Sequence, residues 1–161
     1  MTKNRLQFLL RKNTGKRYLE KYQEELSKLI IGNNIKIMSL EKSDIIFKMI
    51  SDNMLFKQNN LAWSAKQIPF QDKSILKKII SDIQIKYGDI VYMSIKNSDI
   101  CGLVLLERID MFNVCFHYQD DSSGLITFYD KSLTNMLIID FYEEWNEFFY
   151  DVEIYGKKWS C

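Results

Sequence analysis

The hydrophobic and polar positions of this chain change period part-way along it. Over residues 16–31, Tyr18, Leu19, Tyr22, Leu26, Leu29 and Ile30 recur at helical spacing, which predicts an amphipathic helix. Gly15 precedes that stripe and Gly32-Asn33-Asn34 follows it as a stop. A separate short helix is expected over 4–12. Ile35-Lys36-Ile37 predicts a brief strand. Ser39, followed by Glu41, predicts the cap of a helix near 40–56 with Ile45, Ile46, Met49 and Ile50 on its apolar face. Residues 59–70 contain Trp63 and the single proline, Pro69, and read as a loop or turn. Asp72 caps a helix over 73–87, striped by Ile75, Leu76, Ile79, Ile80 and Ile83 and ended by Gly88. Its β-branched isoleucines lower helix propensity, so packing must hold it.

Beyond Gly88 the period falls to two. Residues 90–96 and 100–107 predict a hairpin about Asn97-Ser98-Asp99. Residues 112–118 alternate, with Phe112, Val114, Phe116 and Tyr118 on one side and Asn113, Cys115 and His117 on the other. After a loop over 119–124, residues 125–130 predict a strand. Residues 136–142 and 148–155 predict a final hairpin about Glu143–Glu147. In its last strand Phe148, Tyr150, Val152 and Ile154 share one face, and Asp151 and Glu153 share the other. Helices first and strands afterwards define an α+β domain over 1–161. Residues 1–88 are expected to be mainly helical. Residues 89–161 are expected to form an antiparallel meander of five or six strands with one face covered by the helices.

Composition narrows the class. Hydrophobic content of 47% and charged content of 27% are globular values. Apolar runs such as Leu103–Leu106 are far shorter than a bilayer span needs. The apolar stretch near the basic N-terminus, Leu6–Leu10, is too short for a signal core, so a cytoplasmic protein is expected. Cys101, Cys115 and Cys161 have no ligand-like spacing, and His117 is the single histidine. Reduced thiols are therefore expected, with no disulfide framework, metal or cofactor.

Charge adds the most informative feature. Residues 1–88 hold 17 Lys/Arg against 8 Asp/Glu, a net of +9, while residues 89–161 hold 5 against 13, a net of −8. Such asymmetry points to charged partners. The basic half offers Arg11, Lys12, Lys16, Arg17 and Lys21 to a phosphate backbone. These cations interleave with apolar stripe positions, however, so solvated helix faces explain them more simply. Nucleic acid is not the expected partner; a phage- or plasmid-borne regulator or adaptor touching it through these helices is the alternative.

Catalysis finds little support. Asp151 and Glu153, two residues apart on one strand face, stand ~6.8 Å apart along the chain, a separation open to acid–base chemistry. Alternating acids are equally the ordinary protection of an exposed strand. Cys115 and His117, with Asp120 and Asp121 just beyond, hold the residue types of a nucleophile, base and orienting acid. Two residues apart on a strand, though, side chains run parallel rather than meet. Gly102 and Gly124 stand alone, outside any phosphate-binding motif. No enzymatic activity is expected.

The acidic half suits protein binding better. Asp120, Asp121, Glu143, Glu144, Trp145, Glu147, Asp151 and Glu153 combine carboxylates with an aromatic anchor. Carboxylates of this density would steer encounter with a basic surface. A nuclease active site is such a surface, because its substrate is a polyanion.

The ending "DFYEEWNEFFYDVEIYGKKW", residues 140–159, on a small Lys/Ile/Asn-rich α+β chain without catalytic motifs, resembles the immunity proteins of bacterial polymorphic toxins, most closely those of contact-dependent growth inhibition. The resemblance is one of style across the whole chain, and no functional residue is carried over from it. It implies a cytoplasmic protein that binds a cognate toxin domain and blocks its active site.

Overall fold

A computed structural model describes residues 2–53, 56–116 and 124–160. In chain order the elements are α1 (Lys3–Leu29), β1 (Lys36–Ile37), α2 (Leu40–Asn53), β2 (Leu61–Pro69), α3 (Ser74–Tyr87), β3 (Val91–Ser94), α4 (Ser98–Cys101), β4 (Val104–Leu106), β5 (Leu125–Asp130), β6 (Met136–Glu144) and β7 (Glu147–Tyr155). The strands form one antiparallel sheet in the order β1-β4-β3-β5-β6-β7-β2. The α+β class holds, with seven strands rather than five or six.

The two faces of the sheet are covered unequally. On one face, Val91, Met93, Phe128, Leu137, Ile139, Tyr150 and Val152 join Leu76, Ile80 and Ile83 of α3 and Tyr22, Leu26 and Leu29 of α1 in a continuous buried cluster. On the opposite face, Ile46, Phe47 and Ile50 of α2 pack on Tyr92, Tyr129, Met136, Ile138 and Tyr155. That second cluster reaches only the end of β6–β7 remote from its hairpin turn. Among the described residues no helix side chain joins the remainder of this face, where Asp140, Glu144 and Glu147 are exposed and Tyr142, Phe149 and Asp151 half-buried.

Several expectations are corrected here. The two N-terminal helices are one 27-residue helix. Gly15 lies buried inside it, where a Cβ would stand 1.9 Å from the Ile100 carbonyl oxygen. This glycine marks a close approach of α1 to α4, not a helix boundary. Tyr22 pins the same crossing by bonding to the Gly102 carbonyl (2.6 Å) and the Ser98 hydroxyl (2.9 Å). Residues 98–101 form a helical turn, and the strand expected over 100–107 shortens to β4.

Residues 59–70 are mostly strand β2, paired along β7 at the sheet edge. Register shifts between Leu61 and Trp63 and between Ala65 and Ile68 break its alternation, which hides it from a period-two search. Pro69 ends the strand, where an edge tolerates it.

Residues 112–116 are not a strand. A 3-10 turn, Ile109–Met111, leads to a single bridge between Phe112 and Ile30. The Asn113 amide then donates to the Leu29 carbonyl (2.7 Å) and its side chain to the Lys28 carbonyl (3.1 Å). Asn113 thus satisfies carbonyls that α1 leaves open at its C-terminus. Phe112 and Phe116 are both buried, so the apolar alternation was real, but a turn delivers it.

The cap at Ser39 holds, while the helix expected from 73 starts at Ser74 with Lys73 at its cap position and Asp72 just before it. The Ser39 hydroxyl accepts the Lys42 amide (3.3 Å), and Asp72 accepts the amide of Ser74 (3.0 Å). Next to Asp72, the Lys73 ammonium lies 3.2 Å from the centroid of Phe70, with Phe116, Phe141 and Tyr150 around it. Burial pulls this lysine down to about 8, while the surrounding ring faces favour its cation. The cluster fixes the start of α3 against β6 and β7.

Candidate functional site: the β6–β7 hairpin and its uncovered face

The pairing register arranges the uncovered face in rungs. Glu144 stands opposite Glu147, Tyr142 opposite Phe149, and Asp140 opposite Asp151. Successive rungs are two residues apart, ~6.8 Å along the strands. The face therefore alternates carboxylate pair, aromatic pair, carboxylate pair. The aromatic rung is a tilted stack, with centroids 6.0 Å apart. Glu143, Glu144, Trp145 and Glu147 are all exposed.

The hairpin closes through two residues only, Trp145 (φ 56°) and Asn146 (φ 61°), rather than through the five-residue turn read from the sequence. Both strands consequently run one or two residues further, and this puts Glu144 and Glu147 into register.

Asp151 and Glu153 occupy a different environment. Residue Gln67 of β2 bulges with φ 52°, which turns its amide onto Asp151 (2.8 Å). Asp151 also accepts the Tyr142 hydroxyl (3.0 Å) and faces the Lys66 ammonium at 3.4 Å. Glu153 takes Lys66 at 2.7 Å and the Tyr155 hydroxyl at 2.8 Å. The hydrogen bond from Lys66, then that from Tyr155, holds the Glu153 carboxyl below its usual range, and Glu153 in turn raises Lys66. These two acids are tied into the sheet by Lys66, Gln67, Tyr142 and Tyr155. Glu143, Glu144 and Glu147 at the turn form no ion pair among the described residues, although Gln67 reaches Glu144 at 3.4 Å.

Asp140 belongs to the site and was not singled out beforehand. Burial, and then the charge of Asp151 across the ladder, push its carboxyl above the usual range. A signal existed: it is the lone polar residue within Met136–Tyr142. Lys66 and Gln67 were missed because β2 was read as a loop. Asp120, Asp121 and His117 lie outside the described residues, as do Tyr118 and Cys161.

The other candidate chemistries find less. Cys115 is exposed in a turn, its amide held by Asn113. Cys101 is half-buried, with its thiol against the Gly15 carbonyl at 3.6 Å. No three His, Cys, Asp or Glu residues among those described could hold a metal ion. An open groove of about 400 Å³ between α3 and residues 108–115 is lined by a single carboxylate, Asp110, which Arg108 holds. In the basic half, Arg11 pairs with Asp44 and Lys12 with Glu41 (2.9 Å) on α2. Arg11 and Lys12, both among the cations offered to nucleic acid, are thus engaged inside the molecule. Among the described residues no helix is long and apolar enough to cross a membrane.

No family model, curated protein or solved structure matches this chain.

Proposed function

We propose that the uncovered face of β6–β7, with its turn, binds a basic protein surface. We further propose that the chain is an immunity-type protein, acting in the cytoplasm, that neutralises a cognate toxin, a nuclease, by occluding its cationic active site. The observation carrying this reading is the pair of like-charge rungs, Glu144/Glu147 and Asp140/Asp151, set directly opposite each other around an aromatic rung. Like charges so placed destabilise a sheet by ~0.2–1 kcal/mol each. Across Asp140, Glu144, Glu147, Asp151 and Glu153 of this face, Lys66 supplies the counter-charge to two; Glu143, opposite Phe148, points to the other side of the ladder near the turn. A partner's lysines and arginines would relieve the others, and Tyr142 and Phe149 would receive an arginine between them. No group on this face needs to react; occlusion needs only rigidity, area and charge.

The test uses the C-terminal domain of the protein encoded immediately upstream as the probe. Charge reversal at Glu143, Glu144 and Glu147 is expected to weaken binding at least ~30-fold. Association at low salt should slow by ~10-fold or more, and thermal stability should hold. Unchanged affinity and unchanged salt dependence in the reversed protein would refute the assignment.

A further inference from the structure

The hairpin turn contains one residue that the fold does not explain. A two-residue turn with positive φ at both positions selects Asn, Asp or Gly. Asn146 meets that requirement; Trp145, at φ 56°, does not. The left-handed conformation brings a side chain's Cβ against the following carbonyl, and for a bulky residue it is a genuine outlier. The indole gains nothing in return. It is 90% exposed, and no ring stack or hydrogen bond involves it among the described residues. Strain and an apolar ring in water thus coincide at the tip of a rigid ladder, between Glu144 and Glu147.

We propose that Trp145 is a preset knob: the β6–β7 turn inserts its indole into an apolar pocket of the basic partner, and cations at the rim of that pocket meet Glu143, Glu144 and Glu147. This rests on the partner-binding reading above and adds a division of labour to it. The carboxylates act at long range and set the association rate. The indole acts only in contact and sets the dissociation rate. The short turn holds the ring in place before encounter, so little ordering remains for binding to impose. The flanking negative charge makes a basic rim the matching chemistry; an acidic or purely apolar partner would leave three carboxylates buried and unpaired.

Trp145→Asn separates the two roles, because asparagine suits the left-handed turn and carries no ring. It is measured in the full-length chain beside the double variant Glu144→Lys/Glu147→Lys, with the upstream-encoded domain as probe. Asparagine should leave the melting temperature unchanged or raise it by ~2–4 °C. It should speed dissociation at least ~30-fold and change the association rate and its salt dependence little. The double variant should do the reverse, slowing association and flattening its salt dependence. Dissociation within ~3-fold of the parent, with the double variant still impaired, overturns the knob and leaves the partner-binding reading standing. A melting temperature lowered by more than ~5 °C also overturns it, since the indole would then belong to the fold. No binding by the parent chain overturns the partner-binding reading, and the knob with it.

Discussion

The turns at the two ends of β6 use similar residues to opposite ends. Between β5 and β6, Asp130 sits 4% exposed. It accepts the amides of Thr134 (2.8 Å) and Asn135 (2.9 Å), the Ser132 hydroxyl (2.6 Å) and the Asn135 side chain (2.9 Å). Asn135 then accepts the amides of Lys158 and Trp159 and ties down the chain's end. Leu133 there has φ 56°, the same value as Trp145, yet its side chain is 2% exposed within the cluster around Ile50. Burial offsets the strain. At the β6–β7 turn the same conformation carries a larger side chain, an indole 90% exposed, and the acids beside it oppose one another. Burial and hydrogen bonds account for one turn; among the described residues nothing comparable holds Trp145 at the other.

Removing the inner carboxylate should have the largest effect. Asp130→Ala leaves buried amides without an acceptor and is expected to cost about 3 kcal/mol or more; denaturant unfolding reads it. Glu144→Ala should fall within ~0.5 kcal/mol. The pH profile sharpens the contrast. Burial works against the Asp130 anion, but bonds from Ser132, Asn135 and Thr134 outweigh it, and its carboxyl lies below the ordinary value. Its contribution is therefore present above the carboxyl's unfolded pKa and is lost as pH falls through the lower folded one. Asp130→Asn should flatten that part of the acid-unfolding curve.

Next in size is Leu133→Ala, expected to cost about 2–3 kcal/mol through the lost burial, while keeping the strained conformation. Together with Trp145→Asn it asks whether the two left-handed residues differ as burial says. Equal losses of melting temperature in both would erase the distinction.

The smallest expected effect is a gain. Asp140→Asn removes one charge from a like-charge rung and should stabilise the protein by ~0.2–1 kcal/mol near neutral pH. The Asp140 carboxyl is raised in the fold, so the parent's penalty is present above that folded pKa and fades as pH falls toward the unfolded value. The advantage of the variant should vanish over the same interval; an advantage that persists in acid would mean that charge is not its cause.

Much of this architecture is legible in local pattern. The stripe of α3, the cap at Ser39, the end at Gly88 and the faces of β7 follow from spacings of two to four residues, which is the range over which a helix or strand imposes its period. The exposed acids of the last hairpin were legible for the same reason. What failed depended on partners distant in sequence. Gly15 looks like a boundary until α4 is seen to press on it. The alternation of Phe112 and Phe116 looks like a strand until Asn113 is seen to close α1, 85 residues away from Lys28. The bulged β2 has no clean period, and only β7 makes it a strand.

By itself, then, the sequence determined the class of fold, the stripes of its longer helices, the last hairpin and the opposite charge of its two halves, because periodicity and charge are carried by neighbours along the chain. The tertiary structure alone decided which acids oppose one another, which are neutralised by Lys66, and that Trp145 is left exposed. Those outcomes depend on cross-strand register, and register is set jointly by turn length, bulges and the buried face of the whole sheet.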